Sequence, residues 1–175
     1  MREIRELTAA ELEPELLAGF SHRQRITRTW VRRGGEWELA ETDLLREWGE
    51  KKQRWVPGYL KQQVERGGAA FAAYDGERIA GFVCLDGILA GKGAKYANLT
   101  MLFVDDRLQG KGIGRQLFDA ACARAKRMGA DRLFISAVPS QETVAFYFRR
   151  GCTDAEETVP EFVDTEEDRC LERRL

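Results

Sequence analysis

The chain has 175 residues, 43% of them apolar and 33% charged, with a formal net charge of -1. That length suits a single globular domain over residues 1–175, and the composition argues against a disordered or membrane chain. The near-neutral charge argues against whole-surface attraction to nucleic acid or to an anionic membrane, and no apolar run approaches the roughly 20 residues of a span.

In chain order, REIREL alternates weakly and predicts a short first strand. Thr8 can then cap a helix, with Glu11 at the capping-box position. From Ile26 to Leu39, strand-forming residues flank Gly34-Gly35 and fit a hairpin. An irregular loop whose Trp30 and Trp37 fill the core fits the same residues equally well. Leu44, Leu45 and Trp48, then Trp55, Tyr59, Leu60 and Val64, predict two helical pieces interrupted at Pro57 and ended by Gly67-Gly68. AAFAAYDGERIAGFVCLDG reads as strand, Asp75-Gly76 turn and strand.

LDGILAGKGAKYA, residues 85–97, fits either a mobile loop or a plain connection. YANLTMLFV, residues 96–104, is a strand that feeds into DDRLQGKGIGRQLF. Apolar residues at helical spacing follow, ending at Gly129. RLFISAV is a strand, SQETVAFYFRRG a helix ended by Gly151, and CLERRL a terminal strand.

The turn from Gln109 to Arg115 carries glycines at 110, 112 and 114 between a strand and a helix start. Such an arrangement aims free backbone N–H groups at one point, where the helix dipole also favours an anion. Lys111 and Arg115 add charge, and between Arg107 and Arg132 seven cations face only Asp119 and Asp131. A phosphate or pyrophosphate suits this turn. On the glycines alone, a tight turn that binds nothing is as good a reading. The nucleotide P-loop pattern is absent, and Arg115 stands where the dinucleotide fingerprint needs its last glycine.

The run from NLTMLFVDDRLQGKGIGRQLF through LFISAVPSQETVAFYFRRGC resembles the GNAT superfamily of acetyl-CoA-dependent N-acetyltransferases. Gln109, Gly112 and Gly114 meet its Q/R-x-x-G-x-G/A signature, and Phe146-Tyr147 stand at its aromatic pair. The likeness is strong over residues 70–152 and weak over 23–40. It implies an α/β fold with a mixed, largely antiparallel sheet of six to seven strands, splayed at the central pair and flanked by helices.

The same resemblance implies an acetyltransferase using acetyl-CoA on a primary amine, of a small molecule in preference to a peptide or protein, with a homodimer as a common arrangement; a non-catalytic acyl-CoA-binding module is the alternative. Leu102, Phe103 and Val104 would present backbone to the pantetheine arm and the acetyl carbonyl. Gln109, Gly110, Lys111, Gly112, Ile113, Gly114 and Arg115 would hold the pyrophosphate. Ser140 replaces a common asparagine and, with Thr143, would contact the cofactor. Tyr147 would be the general acid; helical periodicity alone favours a core aromatic there.

The base is not identified by the sequence: Glu142, Asp105 and Asp86 are candidates, as is a water chain. Cys84, Cys122, Cys152 and Cys170 lack metal-ligand spacing, which predicts no metal and, with a charged N-terminus, a reduced, cytoplasmic protein without a leader. A covalent route through Cys84 or Cys152 with His22 is the weakest option. Trp30, Trp37, Trp48, Trp55 and Tyr59 with Glu41, Asp43, Glu47 and Glu50 could clamp an amine, or serve as core and wet helix face.

Overall fold

A computed structural model describes residues 2–175. A mixed seven-stranded sheet is built from β1 (Ile4–Glu6), β4 (Ala69–Asp75), β5 (Arg78–Ala90), β6 (Tyr96–Val104), β7 (Arg132–Ala137), β8 (Thr153–Asp154) and β9 (Arg169–Arg174). Their spatial order is β1-β4-β5-β6-β7-β9-β8, and among the described residues only β6 and β7 pair in parallel. A separate two-stranded ribbon joins β2 (Arg23–Arg33) to β3 (Glu36–Glu47). The helices are α1 (Glu50–Glu65), α2 (Ile113–Arg127) and α3 (Gln141–Arg149).

The sheet buries both faces. On one side Leu117, Phe118, Ala121 and Ala125 of α2 pack on Val83, Leu85, Leu99 and Ile135. On the other, Val56 and Leu60 of α1 join Leu7, Leu12, Leu17 and Phe20 against Ala70, Ala72 and Phe82. Alternation along β6 divides its last residues between these layers, as a period-two strand requires. Leu102 and Val104 face α2, while Met101 and Phe103 face α1.

The structure decides for the hairpin, and makes it longer than the sequence pattern suggests. Gly34 and Gly35 have φ of 58° and 83°, the left-handed pair of a two-residue turn whose twist matches the strands. Five arginines on β2 face an acidic β3, with Arg33 opposite Glu36, Arg28 opposite Glu41 and Arg23 opposite Glu47. This charge complement explains why Leu44 and Leu45 lie on a strand and not on the helix expected there. The ribbon is docked by Arg169, whose guanidinium lies 4.9 Å from both the Trp30 and Trp37 rings and 5.1 Å from Phe148. Asp154 accepts from the same guanidinium at 2.7 and 2.8 Å. Arg169→Ala is expected to lower unfolding free energy by about 2 kcal/mol, measurable by denaturant titration. An unchanged midpoint would remove Arg169 as the latch.

Three further expectations need correction. The helix capped at Thr8 is one 3-10 turn, Ala9–Glu11, because Pro14 has no N–H to extend it. Its capping pair forms nonetheless, with the Thr8 N–H donating to Glu11 Oε2 at 2.8 Å. Pro57 does not interrupt α1, since Val56, Pro57, Leu60 and Gln63 form a buried stripe that outweighs one missing hydrogen bond. Residues 85–97 are mostly strand, with β5 continuing to Ala90.

Candidate active site

Beyond Leu99↔Ile135 the pairing of β6 with β7 stops, although β6 runs on to Val104. On its other edge β6 stays bonded to β5, through Met101↔Cys84 to Val104↔Gly81. The register there skips one β6 residue, Thr100, at a bulge. From Thr100 to Val104 one backbone edge therefore faces the opening with no strand partner among the described residues. Leu102, Phe103 and Val104 lie on that splayed segment.

At its end Asp105 starts a 3-10 turn (Asp106–Leu108), then come the glycines. Gly110 and Gly112 have φ of 77° and 79°, and a Cβ on either would meet nothing within 4 Å. Glycine is required by backbone conformation here, and the space beside the turn is open. The first α2 bond runs from the Gln116 N–H to the Gly112 carbonyl at 3.2 Å, leaving Ile113, Gly114 and Arg115 N–H groups without helical acceptors. No acid stands in this first turn. Lys111 and Arg115 are exposed, Arg115 sharing only a 3.8 Å contact with Asp119.

Gly114 ties the three motifs together. A Cβ there would sit 3.2 Å from Phe146 Cε2 and 3.6 Å from Val104 Cγ2. The splayed strand end, the glycine turn and Phe146 of the aromatic pair thus converge on one point. Tyr147 is 6% exposed and packs edge-on to Phe118 and Phe146 at 5.9 and 5.2 Å. Burial, then the nearby Cys152, pushes its phenol well above the usual range, so it stays protonated at neutral pH.

A family model described as the acetyltransferase (GNAT) family matches residues 26–152. The chain belongs to the GNAT acetyltransferase family. Solved structures of low identity share this GNAT fold. Nourseothricin acetyltransferase aligns with a TM-score of 0.68 at 16% identity, covering 98% of this chain and 95% of that one. A Bacillus anthracis str. Ames protein assigned as a streptothricin acetyltransferase, solved with acetyl coenzyme A, gives 0.64 at 16%, covering 98% and 97%. The PaiA N-acetyltransferase of Thermoplasma acidophilum, solved with coenzyme A, gives 0.62 at 17%, covering 100% and 99%. No curated protein matches the chain by sequence.

Other GNAT candidates from the sequence find different places. Ser140 is fully buried as the α3 cap, accepting from the Thr143 N–H at 3.1 Å and donating to Thr143 Oγ1 at 2.8 Å. Gln24 donates to both hydroxyls at 3.2 and 3.3 Å. These contacts tie the hairpin to α3. Trp30 and Trp37 serve the Arg169 latch, whereas Trp55 is exposed and stacks on Tyr59 at 5.4 Å. Asp43 is spent on Arg25 at the surface. Cys84 and Cys152 are buried, and burial pushes both thiols up to about 12, which leaves them inert as nucleophiles.

Asp105 is 3% exposed and structural. It accepts from the Ser21 N–H at 3.0 Å and from Arg107 Nε at 2.8 Å, and the Arg107 hydrogen bond leads in holding its carboxyl down to about 2. A depressed carboxyl stabilises the fold fully above its unfolded value near 4, and that stability is lost as pH falls through 2. Asp105→Asn is expected to cost about 2 kcal/mol at pH 6, with the gap to wild type closing between pH 4 and 2. Denaturant midpoints across that range check it; a pH-independent gap would contradict it.

The sequence offered His22 only as a partner for Cys84 or Cys152, and the structure places it elsewhere. Its ring lies 4.9 Å from Phe103, edge to face, and 5.2 Å from Trp48, on the α1 side of β6. Spacing could not place it, because its neighbours are more than 80 residues away along the chain or reached through the ribbon.

Proposed function

We propose that the chain is an acetyl-CoA-dependent N-acetyltransferase acting on a primary amine of a small molecule. The observation that carries this is the convergence at Gly114 of the glycine turn, the unpaired end of β6 and Phe146, on which Tyr147 packs at 5.2 Å. The turn fits a pyrophosphate by its free N–H groups, its open space and its lack of acids. Acetyl-CoA, when bound, supplies an activated acyl group on a good leaving thiol.

The chain's own residues then have distinct tasks. N–H groups of residues 112–115 bind the phosphates, aided by Lys111 and Arg115, and this remote binding orients the thioester. Backbone N–H groups on the free edge of Leu102–Val104 stabilise charge developing on the acetyl oxygen, which is worth a few kcal/mol when preorganised. Tyr147 holds a proton for the departing sulphur. Burial that raises its phenol also desolvates the thiolate, so the two stay matched as acid and base. Phe146 wedges against Gly114 and fixes the angle between turn and helix.

A non-catalytic acyl-CoA-binding module is the competing reading, favoured by one observation, the deep burial of Tyr147. Thiol release from acetyl-CoA separates the two. Release that depends on added primary amine supports transfer; binding with no release toward any amine supports the module.

A further inference from the structure

We propose that His22 takes the proton from the acceptor ammonium, with Asp106 as its positioning residue. The inference rests on the reading of this site as one where an amine attacks a thioester.

His22 lies on a span that crosses the opening between β6 and β7. On the β6 side, the Ser21 N–H donates to Asp105 Oδ2 and the Asp106 N–H donates to the Ser21 carbonyl, both at 3.0 Å. On the other side, Gln24 Nε2 donates to Ser140 and Thr143 at the start of α3. Residues 21–24 therefore bridge the splay, and the imidazole sits within that bridge against Phe103 of the unpaired β6 segment. Trp48 closes its other flank, with the Trp48 N–H fixed to the His22 carbonyl at 3.0 Å.

The charged groups around it have defined roles. Asp106 Oδ1 is buried with no hydrogen-bond partner among the described residues, and its charge favours the imidazolium. Arg46 on β3 opposes it, and burial opposes it more strongly, so the half-buried imidazole is neutral at pH 7 and free to accept a proton. The Asp105–Arg107 pair is closed on itself. Competing bases are otherwise placed: Glu142 is exposed on α3, and Asp86 accepts from the Ile88 N–H of its own strand, β5, at 3.1 Å.

The ammonium gives one proton to His22. The freed nitrogen lone pair forms the C–N bond at the acetyl carbon, and the C–S bond breaks with its electron pair going to sulphur. The extra nitrogen proton leaves to water, and sulphur takes one from Tyr147, which water reprotonates. One proton, released from the imidazolium, is produced per acetyl transferred.

The test has two arms, both using the full chain and the primary amine that wild type acetylates fastest. His22→Gln is expected to lower kcat/KM about 100-fold at pH 7 while acetyl-CoA Kd stays within about twofold, and to erase the acid limb of the pH profile. Asp106→Asn should move that limb to lower pH without abolishing it. Because His22 is the chain's single histidine, its NMR titration in wild type needs no assignment, and its midpoint should coincide with the acid limb, below about 6.5. An acid limb unchanged in His22→Gln, a rate loss matched by lost acetyl-CoA affinity, or an NMR midpoint away from the limb would each overturn the role. Wild type that acetylates no amine would overturn the acetyltransferase reading itself, and this role with it.

Discussion

Gly112→Glu is expected to abolish acetyl-CoA binding in a protein that still folds. At φ 79° the residue is left-handed, so any side chain costs roughly 1–2 kcal/mol of stability, a tolerable loss for a domain of this size. Nothing lies within 4 Å of the added Cβ, so packing is undisturbed. The carboxylate instead occupies the place where the α2 N-terminus and its free N–H groups would meet a pyrophosphate, and like charges exclude the ligand. Calorimetry should show Kd rising at least about 100-fold, or about 2.7 kcal/mol. Gly112→Ala separates the terms, showing the strain without the charge. Undiminished binding by the glutamate variant would make the loop a plain turn.

Tyr147→Phe should depress turnover about 100-fold while acetyl-CoA affinity stays within about twofold. Removing one hydroxyl keeps the ring that packs against Phe118 and Phe146, so stability should change little. The direction of its titration also predicts a profile. Because burial raises the phenol, no loss of rate from its ionisation should appear up to about pH 9, and any acid-side loss belongs to another group. Unchanged turnover would leave Tyr147 a core aromatic only.

The elements from β4 to α3 were legible because local chemistry and global fold agree there. Asp75-Gly76 sets a hairpin turn, β6 occupies residues 96–104 as its strand-formers predict, and Gly129 and Gly151 end α2 and α3 with φ of 91° and 78°. The N-terminal third was less legible. Leu44, Leu45 and Trp48 imitate a helical stripe, and the pairing of a basic strand with an acidic one puts the two leucines on a ribbon that ends just before Trp48. Pro57 reads as a break until the buried stripe of α1 is seen to override it. β8 has two residues and no pattern of its own.

Within the site, the glycine turn and the aromatic pair could be read from spacing, since each sits on one local element. Ser140 could not be placed that way, because its hydroxyl is committed to Thr143 and to Gln24 on a strand more than 100 residues earlier. The same limit hid His22. Its position depends on Ser21 being fastened to Asp105 and Asp106, contacts that exist only after the chain has folded.

A crystal structure of the chain with acetyl-CoA should show pyrophosphate oxygens within hydrogen-bond distance of the N–H groups of residues 112–115, the pantetheine arm along the free edge of Thr100–Val104, and the sulphur beside the Tyr147 hydroxyl. Acetyl-CoA bound with its pyrophosphate away from the glycine turn, or with its thioester outside the β6–β7 opening, would contradict that placement.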